Sequence, residues 1–193
     1  MKMAKAVILL HEIYGRNQFI RSQSKKYSDL GFQVYCPDWN QGKVFAYSEA
    51  DAAYRHFYAC AGMEAYRALW ALIDQLKPRV EQLYLVGYSV GATLAWRCSE
   101  NPNCSGVIAC YGSRIRDYLD VKPQCPAQLL FAERDCFDVG TVGKALKAAP
   151  NTRLHFFNAE HGFLDPFSPS YAPLQAEAAE KLILRFLENP KLP

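Results

Sequence analysis

The sequence predicts an α/β fold in three layers, with helices on both faces of a mainly parallel sheet of about six strands. Short, continuous apolar runs are typical of strands buried on both faces of a parallel sheet, and residues 83–86 (L-Y-L-V) are the clearest example. Helical patterns alternate with these runs, which favours parallel strands joined by right-handed crossovers. The sequence contains no internal repeat or linker, so residues 1–193 are predicted to form a single domain.

Six apolar segments are predicted to be strands. In chain order they are residues 6–10, 32–36, 83–86, 106–111, 128–132 and a short run at 154–157. Pro37 stops the second strand, because proline cannot donate a hydrogen bond to a neighbouring strand. The polar segment that follows, residues 38–48, is predicted to be a long loop.

Five segments with helical patterns are predicted to be helices. They are residues 19–30, 49–76, 92–96, 140–149 and 171–187. Gly31 is expected to end the first helix, since glycine readily takes the left-handed conformation found after a helix. The second segment is expected to be broken or bent around 60–62, where Gly62 interrupts the pattern.

Composition and charge exclude several classes of function. The net charge is only +3 and the basic residues are scattered, so no nucleic-acid partner is expected. The apolar run near the N-terminus is too short for a signal peptide or a membrane span, so no membrane partner is expected. The seven cysteines lack C-x-x-C spacing and are expected to be free thiols in a reducing, cytoplasmic location. No phosphate-binding glycine motif follows a strand, which disfavours a nucleotide-binding domain.

Residues 87–91 (G-Y-S-V-G) form the motif G-x-S-x-G between a predicted strand and a predicted helix. In this context the central serine occupies a strained turn, and the small residues on either side let the strand and the helix approach closely. Ser89 is therefore the candidate nucleophile. The alternative is that Ser89 only caps the helix.

An acid and a histidine follow later strands, in the order that a serine triad needs. Asp135 lies after the fifth predicted strand, and His161 lies after the sixth. The chain order serine, acid, histidine is that of the α/β-hydrolases. His161 would take the proton of Ser89, and Asp135 would orient His161 and stabilise its charged form. Asp138, in the same loop as Asp135, is the alternative acid.

The other histidines are weaker candidates for the general base. His56 and His155 lie in amphipathic or strand patterns, so surface or packing roles are expected for them. His11 directly precedes Glu12 in the loop after the first strand, and it is expected either to make structural hydrogen bonds or to line the site.

An oxyanion that forms at the substrate carbonyl needs backbone N–H donors. Val90, directly after the nucleophile, is expected to supply one, and Ile13, in the loop after the first strand, the other. The substrate pocket is predicted to be lined mainly by aromatic side chains from loops at the same edge of the sheet. These side chains are Tyr14, Trp39, Phe45, Tyr47, Tyr88, Tyr111 and Phe163.

Five segments together resemble the dienelactone hydrolase family over nearly the whole chain. They are H-E-I-Y-G-R-N-Q-F-I-R (11–21), L-G-F-Q-V-Y-C-P-D (30–38), L-V-G-Y-S-V-G-A (85–92), C-P-A-Q-L-L-F-A-E-R-D (125–135) and E-H-G-F-L-D-P (160–166). The resemblance implies a three-layer α/β-hydrolase fold in which Ser89, Asp135 and His161 are the triad. It also implies that the backbone of Ile13 and Val90 forms the oxyanion hole.

Glu12 is implied by the resemblance to lie near the nucleophile. In the type enzyme of the family the nucleophile is a cysteine that the equivalent glutamate helps to control, whereas this chain has Ser89. A serine is held inert by its high pKa and does not need such control. We therefore expect Glu12 to be structural or to be a second polar contact in the substrate pocket.

The family's dienelactone specialists hold the substrate carboxylate with arginines. At one of these positions the chain has Asp165, and the segment 49–53 that would supply the other contains no arginine. This departure disfavours a dienelactone that bears a carboxylate, although Arg16 or Arg55 is available to replace the missing arginines.

The leading hypothesis is a serine hydrolase that cleaves small esters, lactones or thioesters through an acyl-enzyme intermediate. The alternatives are a true dienelactone (carboxymethylenebutenolide) hydrolase and, in another class, a catalytically silent α/β binding or scaffold protein. The expected partner is a small-molecule ester or lactone, no metal or cofactor is expected, and the protein is expected to be a monomer or a small homo-oligomer. The sequence begins close to the strand that carries the oxyanion loop, so we expect a sheet trimmed to about six strands.

Overall fold

The fold is built on one sheet of six parallel strands, and the computed structural model describes residues 4–190 of the chain. The strands are β1 (Lys5–Leu10), β2 (Gln33–Tyr35), β3 (Gln82–Tyr88), β4 (Gly106–Cys110), β5 (Ala127–Arg134) and β6 (Thr152–Glu160). Their spatial order is β2-β1-β3-β4-β5-β6, and every neighbouring pair is parallel. The predicted α/β fold with about six mainly parallel strands is confirmed.

Six α-helices cover the two faces of this sheet. They are α1 (Gln18–Asp29), α2 (Ala50–Cys60), α3 (Ala65–Leu76), α4 (Val90–Cys98), α5 (Val139–Leu146) and α6 (Pro173–Glu188). The predicted break separates α2 from α3, and Gly62 there has a φ of +58°. Gly31, just after α1, has a φ of +87°, as the sequence predicts for a residue that ends a helix. Within residues 4–190, no helix has both the length and the apolar character needed to cross a membrane.

Strand β6 is longer than the short run that the sequence predicts, since it extends over nine residues. It lies at the edge of the sheet, where it pairs with β5, and several of its side chains are exposed. Polar residues such as Arg153 and Asn158 therefore belong to the strand without being buried. A search for continuous apolar runs detects only the middle of such an edge strand.

Alternate residues of each strand enter two different apolar cores, one on each face of the sheet. Val7 and Leu9 of β1 belong to the core that includes α1 and α6, whereas Ala6, Ile8 and Leu10 belong to the core that includes α3 and α4. Successive side chains of a strand point to opposite faces, so burial on both faces requires an unbroken apolar sequence. The sequence of β1 meets this requirement.

The carboxyl ends of β1, β3, β4, β5 and β6 lie along one edge of the sheet, because these strands are consecutive in space and parallel. In open α/β sheets the functional loops collect at this edge. Ser89 follows β3, Asp135 follows β5, and His161 follows β6. The topology therefore brings three residues that are far apart in the sequence to one place.

Candidate active site

Ser89 lies between β3 and α4 with a φ of +54° and a ψ of −116°. This backbone conformation is costly for a residue with a side chain and persists only where the surroundings impose it. The flanking glycines show how tight the turn is. A Cβ atom on Gly87 would lie 2.2 Å from the carbonyl oxygen of Gly91, and one on Gly91 would lie 2.4 Å from that of Leu10. The turn thus presents Ser89 at the end of the strand, as the motif predicts.

Ser89, His161 and Asp135 form a continuous chain of hydrogen bonds. The Oγ of Ser89 is 2.9 Å from Nε2 of His161, and Nδ1 of His161 is 2.8 Å from Oδ2 of Asp135. An ionised carboxylate can only accept, so Nδ1 carries the proton and Nε2 is free to accept the hydroxyl proton of Ser89. The backbone N–H of Cys136 donates to the other oxygen of Asp135 at 2.7 Å and fixes this carboxylate.

The surroundings of this chain of hydrogen bonds change two pKa values in opposite directions. Burial alone lowers the pKa of His161, but the hydrogen bond and charge of Asp135, together with the charge of Glu12, outweigh burial and raise it. Burial alone raises the pKa of Asp135, but the hydrogen bond and charge of His161 and the N–H of Cys136 lower it overall. Asp135 is therefore ionised at neutral pH and supports a basic His161.

The remaining candidates for the acid and the base lie elsewhere. Asp138 caps the N-terminus of α5, where its carboxylate accepts hydrogen bonds from the backbone N–H and the hydroxyl of Thr141. His56 belongs to α2, and its Nε2 is 3.0 Å from the carbonyl oxygen of Asn40. His155 lies in β6. The structure thus brings Asp135 and His161, rather than these residues, to Ser89.

Two residues beside Ser89 carry backbone N–H groups that are candidates for an oxyanion hole. Ile13 and Val90 both line the cleft that contains Ser89 and His161. Val90 is the first residue of α4, and the first N–H groups of a helix have no acceptor within the helix and carry partial positive charge. Among the described residues, neither the Ile13 N–H nor the Val90 N–H has a hydrogen-bond acceptor. Both groups therefore remain the predicted donors to a developing oxyanion.

The cleft in front of Ser89 has a volume of about 680 Å³, and charged side chains contribute much of its wall. The residues that line it are Ile13, Tyr54, Ser89, Val90, Ser113, Arg114, Arg116, Arg134, Asp135, Cys136, Glu160, His161 and Ser170. Of these, Arg114 and Arg116 lie on the turn after β4, and Arg134 ends β5. None of these arginines is among the predicted site residues, and their sequence signal is that each follows, or ends, a strand of the site.

None of the predicted pocket residues lines this cleft. Tyr88 and Phe163 are completely buried in the core that includes α1 and α6, because Tyr88 follows Tyr84 and Val86 on the same face of β3. Tyr14 packs edge-on against Tyr47, with 4.9 Å between ring centroids. Trp39 and Glu12 also contribute nothing to the cleft wall.

The additional aromatic candidates behave in the same way. Phe45 is buried and stacks obliquely beside His56. Tyr111 is completely buried, yet its ring lies edge-on to His161 at a centroid distance of 5.1 Å. Tyr111 also has a φ of +43°, an uncommon value for a residue with a large side chain. It therefore supports the histidine ring from behind instead of contacting the cleft.

Glu12 and Asp165 are two buried acids that lie close enough for their charges to interact. Burial, together with the charge of Asp165, raises the pKa of Glu12 to about 7, although the charge of His161 opposes this rise. Asp165 accepts hydrogen bonds from the Tyr47 hydroxyl and from the backbone N–H of Phe167. Glu12 thus lies close to the triad but outside the cleft, and Asp165 is satisfied by protein groups.

No three His, Cys, Asp or Glu side chains are grouped closely enough within residues 4–190 to hold a metal ion. All seven cysteines are free thiols. Cys98 and Cys110 are buried and Cys36 is partly buried, and burial raises the pKa of each thiol above its usual value. The cleft brings Ser89, His161 and Asp135 together with Ile13 and Val90, and three arginines lie in the same wall.

Comparison with known proteins extends these observations. The sequence model of the dienelactone hydrolase family matches residues 1–190. The chain is 36% identical over 167 residues to the uncharacterized protein YczH of Bacillus subtilis (strain 168), a match that covers 84% of this chain and 82% of that protein. It is 22% identical to the carboxymethylenebutenolidase of Pseudomonas sp. (strain P51), over 96% of this chain and 84% of that enzyme.

The fold also resembles solved structures. A crystal structure of a proposed dienelactone hydrolase from Klebsiella pneumoniae subsp. pneumoniae MGH 78578 superposes with a TM-score of 0.82. The superposition covers 97% of this chain and 88% of that chain, at 18% sequence identity. At this identity the likeness shows a shared fold.

Proposed function

Because the chain belongs to the dienelactone hydrolase family and is a hydrolase that acts on ester bonds, we propose that it cleaves small esters, lactones or thioesters through an acyl-enzyme on Ser89. The observation that carries this proposal is the unbroken series of hydrogen bonds from Ser89 through His161 to Asp135. The N–H groups of Ile13 and Val90, which have no acceptor within residues 4–190, support it. Asp135 and His161 are each held by further contacts, so the arrangement is preorganised.

In the first step, Oγ of Ser89 attacks the carbonyl carbon of the ester while Nε2 of His161 takes the hydroxyl proton. The carbonyl π electrons move to oxygen, and the N–H groups of Ile13 and Val90 stabilise the resulting oxyanion. When the intermediate collapses, the bond to the leaving oxygen or sulfur breaks, and His161 returns its proton to that atom. The products of this step are an ester of Ser89 and the alcohol or thiol, which for a lactone stays attached to the acyl group.

In the second step, water replaces the serine hydroxyl as the nucleophile. His161 takes a proton from water, the hydroxide attacks the acyl carbon, and the same two N–H groups stabilise the second oxyanion. Collapse breaks the bond to Oγ of Ser89, and His161 protonates that oxygen. A carboxylic acid leaves, and the site returns to its starting state without a change of oxidation level.

A dienelactone-type substrate with a carboxylate is the second candidate. The sequence disfavours it because Asp165 replaces an arginine, and Asp165 is buried and hydrogen-bonded to Tyr47. However, Arg114, Arg116 and Arg134 line the cleft, and their guanidinium groups are suited to binding a carboxylate. The charge of the substrate, rather than the bond that is cleaved, therefore distinguishes the two candidates.

The proposed function is tested by labelling the intact protein with a fluorophosphonate probe, followed by peptide mapping of the adduct. We expect a single adduct on Ser89 in the wild type, no adduct in Ser89→Ala, and a loss of labelling in His161→Ala. All three proteins should show the same thermal unfolding by circular dichroism. A folded wild-type protein that remains unlabelled and does not hydrolyse aryl esters would instead favour a catalytically silent binding protein.

A further inference from the structure

The loop that carries Ile13 is held from behind by His11, which the mechanism above does not use. His11 is completely buried at the end of β1 and does not line the cleft. On the basis of the proposed function, we propose that His11 is a positioning residue that orients the Glu12–Ile13 peptide and thereby aims the Ile13 N–H at the oxyanion.

Both ring nitrogens of His11 make hydrogen bonds, and these bonds define its tautomer. The backbone N–H of Trp39 donates to Nε2 at 3.0 Å, so Nε2 carries no proton. The proton is therefore on Nδ1, which lies 2.6 Å from the carbonyl oxygen of Glu12 and donates to it. Burial lowers the pKa of His11, although the hydrogen bond to the Glu12 carbonyl and the charge of Asp38 oppose this, so the ring stays neutral.

The carbonyl that His11 holds belongs to the same peptide unit as the Ile13 N–H. A trans peptide is planar, and its N–H points away from its C=O. The Glu12 carbonyl also accepts from the backbone N–H of Gly15 at 3.2 Å, so two donors tie it to the buried side of the loop. The Ile13 N–H is consequently directed toward the cleft. Hydrogen bonds to the carbonyl also polarise the peptide, which makes its N–H a stronger donor.

A second anchor holds the following peptide. The side-chain amide of Asn40, which is completely buried, donates to the carbonyl oxygen of Ile13 at 2.7 Å. Asn40 directly follows Trp39, so two consecutive residues fix the backbone on both sides of Ile13. Such rigidity matters because an oxyanion donor lowers the barrier most when it needs no reorganisation during the reaction.

Two substitutions at His11 separate its two hydrogen bonds. The amide of glutamine reaches the position of Nε2, so His11→Gln keeps an acceptor for Trp39 but loses the donor to Glu12. The amide of asparagine lies near the position of Nδ1, so His11→Asn keeps that donor. We expect His11→Gln to lower kcat on p-nitrophenyl butyrate roughly 10- to 100-fold with an unchanged KM, and His11→Asn to lower it less than about threefold.

The readouts are chosen so that a purely structural role gives a different result. Each kcat is divided by the amount of Ser89 that a fluorophosphonate labels at completion, so that misfolded protein is not counted. The affinity for trifluoroacetophenone, which forms a tetrahedral oxyanion adduct with the serine, should fall by the same factor as kcat. The affinity for the product butyrate should not change. His155→Gln is the matched control, because His155 lies in β6, away from these contacts.

If His11→Gln and His11→Asn lower kcat equally, the proposal is overturned. It is also overturned if kcat falls in His11→Gln but the affinity for trifluoroacetophenone does not. If His11→Gln does not fold, His11→Leu replaces it, because leucine has nearly the shape of asparagine but no donor for the Glu12 carbonyl. The kcat of His11→Leu must then be lower than that of His11→Asn with the same KM, and equal values of kcat would overturn the proposal. A wild-type protein that is unlabelled at Ser89 contradicts the proposed function. A labelled, active wild type with an equally active His11→Gln contradicts only the role of His11.

Discussion

A Cβ atom added to Gly91 would lie 2.4 Å from the carbonyl oxygen of Leu10, so the first turn of α4 rests directly on the end of β1. This contact sets the distance between Val90, which begins α4, and the loop after β1 that contains Ile13. The relative position of the two proposed oxyanion donors therefore depends on the absence of a side chain at one residue.

We expect Gly91→Ala to destabilise the protein by about 1–3 kcal/mol, because the added methyl group meets backbone atoms that cannot move aside. This cost exceeds the gain of about 1 kcal/mol that alanine normally brings to a helix. Gly140→Ala is the matched control, since the nearest atom to its Cβ is Oδ1 of Asp138 at 3.4 Å. Urea unfolding of both variants measures the difference, and similar stabilities would show that α4 and β1 can separate freely.

The two acids after β5 are expected to differ strongly in their effect on catalysis. Asp135→Asn cannot stabilise the charged form of His161 and favours the wrong tautomer, so we expect kcat to fall roughly 1,000- to 10,000-fold. Asp138→Asn should leave kcat within about twofold and keep the fold, because asparagine is also a good helix cap. Turnover of an aryl ester by the two variants is the measurement. A larger loss in Asp138→Asn would move the acid role to the helix cap.

The acid limb of the pH–rate profile should report the raised pKa of His161. Only the neutral ring can take the proton of Ser89, so kcat/KM should fall as the pH drops through a value above the usual 6.5. The charge of Glu12 contributes to this rise. Glu12→Gln should therefore shift the acid limb to lower pH. An unchanged acid limb in Glu12→Gln would show that the charge of Glu12 does not affect the pKa of His161.

Glu12 should also make stability depend on pH. Burial raises its pKa from 4.5 to about 7, so the folded protein holds this proton more tightly than the unfolded chain. As the pH rises from about 4.5 to 7, the unfolded chain loses its proton first, and the folded state loses up to about 3 kcal/mol of stability. The Glu12→Gln variant has no carboxyl group at this position, so it does not lose this stability as the pH rises. Urea unfolding at pH 5 and pH 8 should show its advantage over the wild type growing with pH, and a constant difference would contradict the buried, protonated state.

The positions of Ser89, Asp135 and His161 could be predicted because each follows a strand, and parallel strands place their carboxyl ends at one edge. Sequence patterns predict such positions well, because the position of a residue at the end of a strand depends only on where the strand ends and on the order of the strands. The pocket lining could not be predicted in this way, because it depends on which face of a strand each side chain occupies. Tyr88 is an example, because its side chain lies on the same face of β3 as those of Tyr84 and Val86 and is therefore buried in the core.

The properties of the buried groups depend on contacts between distant segments. Asp165 accepts from Tyr47, 118 positions away, and Glu12 lies near Asp165 and Tyr111. No local pattern encodes such contacts. The two hydrogen bonds of the His11 ring also cannot be read from the sequence. The sequence leaves two roles open for this residue, a structural one and one in lining the site. The fold was thus accessible from periodicity, whereas the electrostatics of the site required the structure.

The arginines of the cleft are expected to favour substrates with an added negative charge. Arg114 pairs with Asp117 at 2.7 Å, and the side chain of Arg116 donates to the Ser113 carbonyl, yet each guanidinium keeps further donors. We expect the wild type to prefer an aryl ester whose acyl chain ends in a carboxylate over a neutral ester of the same length. This preference should weaken as the salt concentration rises, because the arginines are partly exposed.

Removing one of these charges tests the preference directly. Arg116→Gln should lower kcat/KM for the anionic ester roughly 5- to 10-fold and leave the neutral ester within about twofold, as expected for a lost ion pair of about 1 kcal/mol. Arg79→Gln is the matched control, since Arg79 precedes β3 at the opposite end of the sheet. If Arg116→Gln lowers kcat/KM equally for both esters, this arginine shapes the cleft wall but does not select substrates by charge. The neutral-ester candidate would then be favoured over a carboxylate-bearing lactone, because the strongest observation for the latter would be lost.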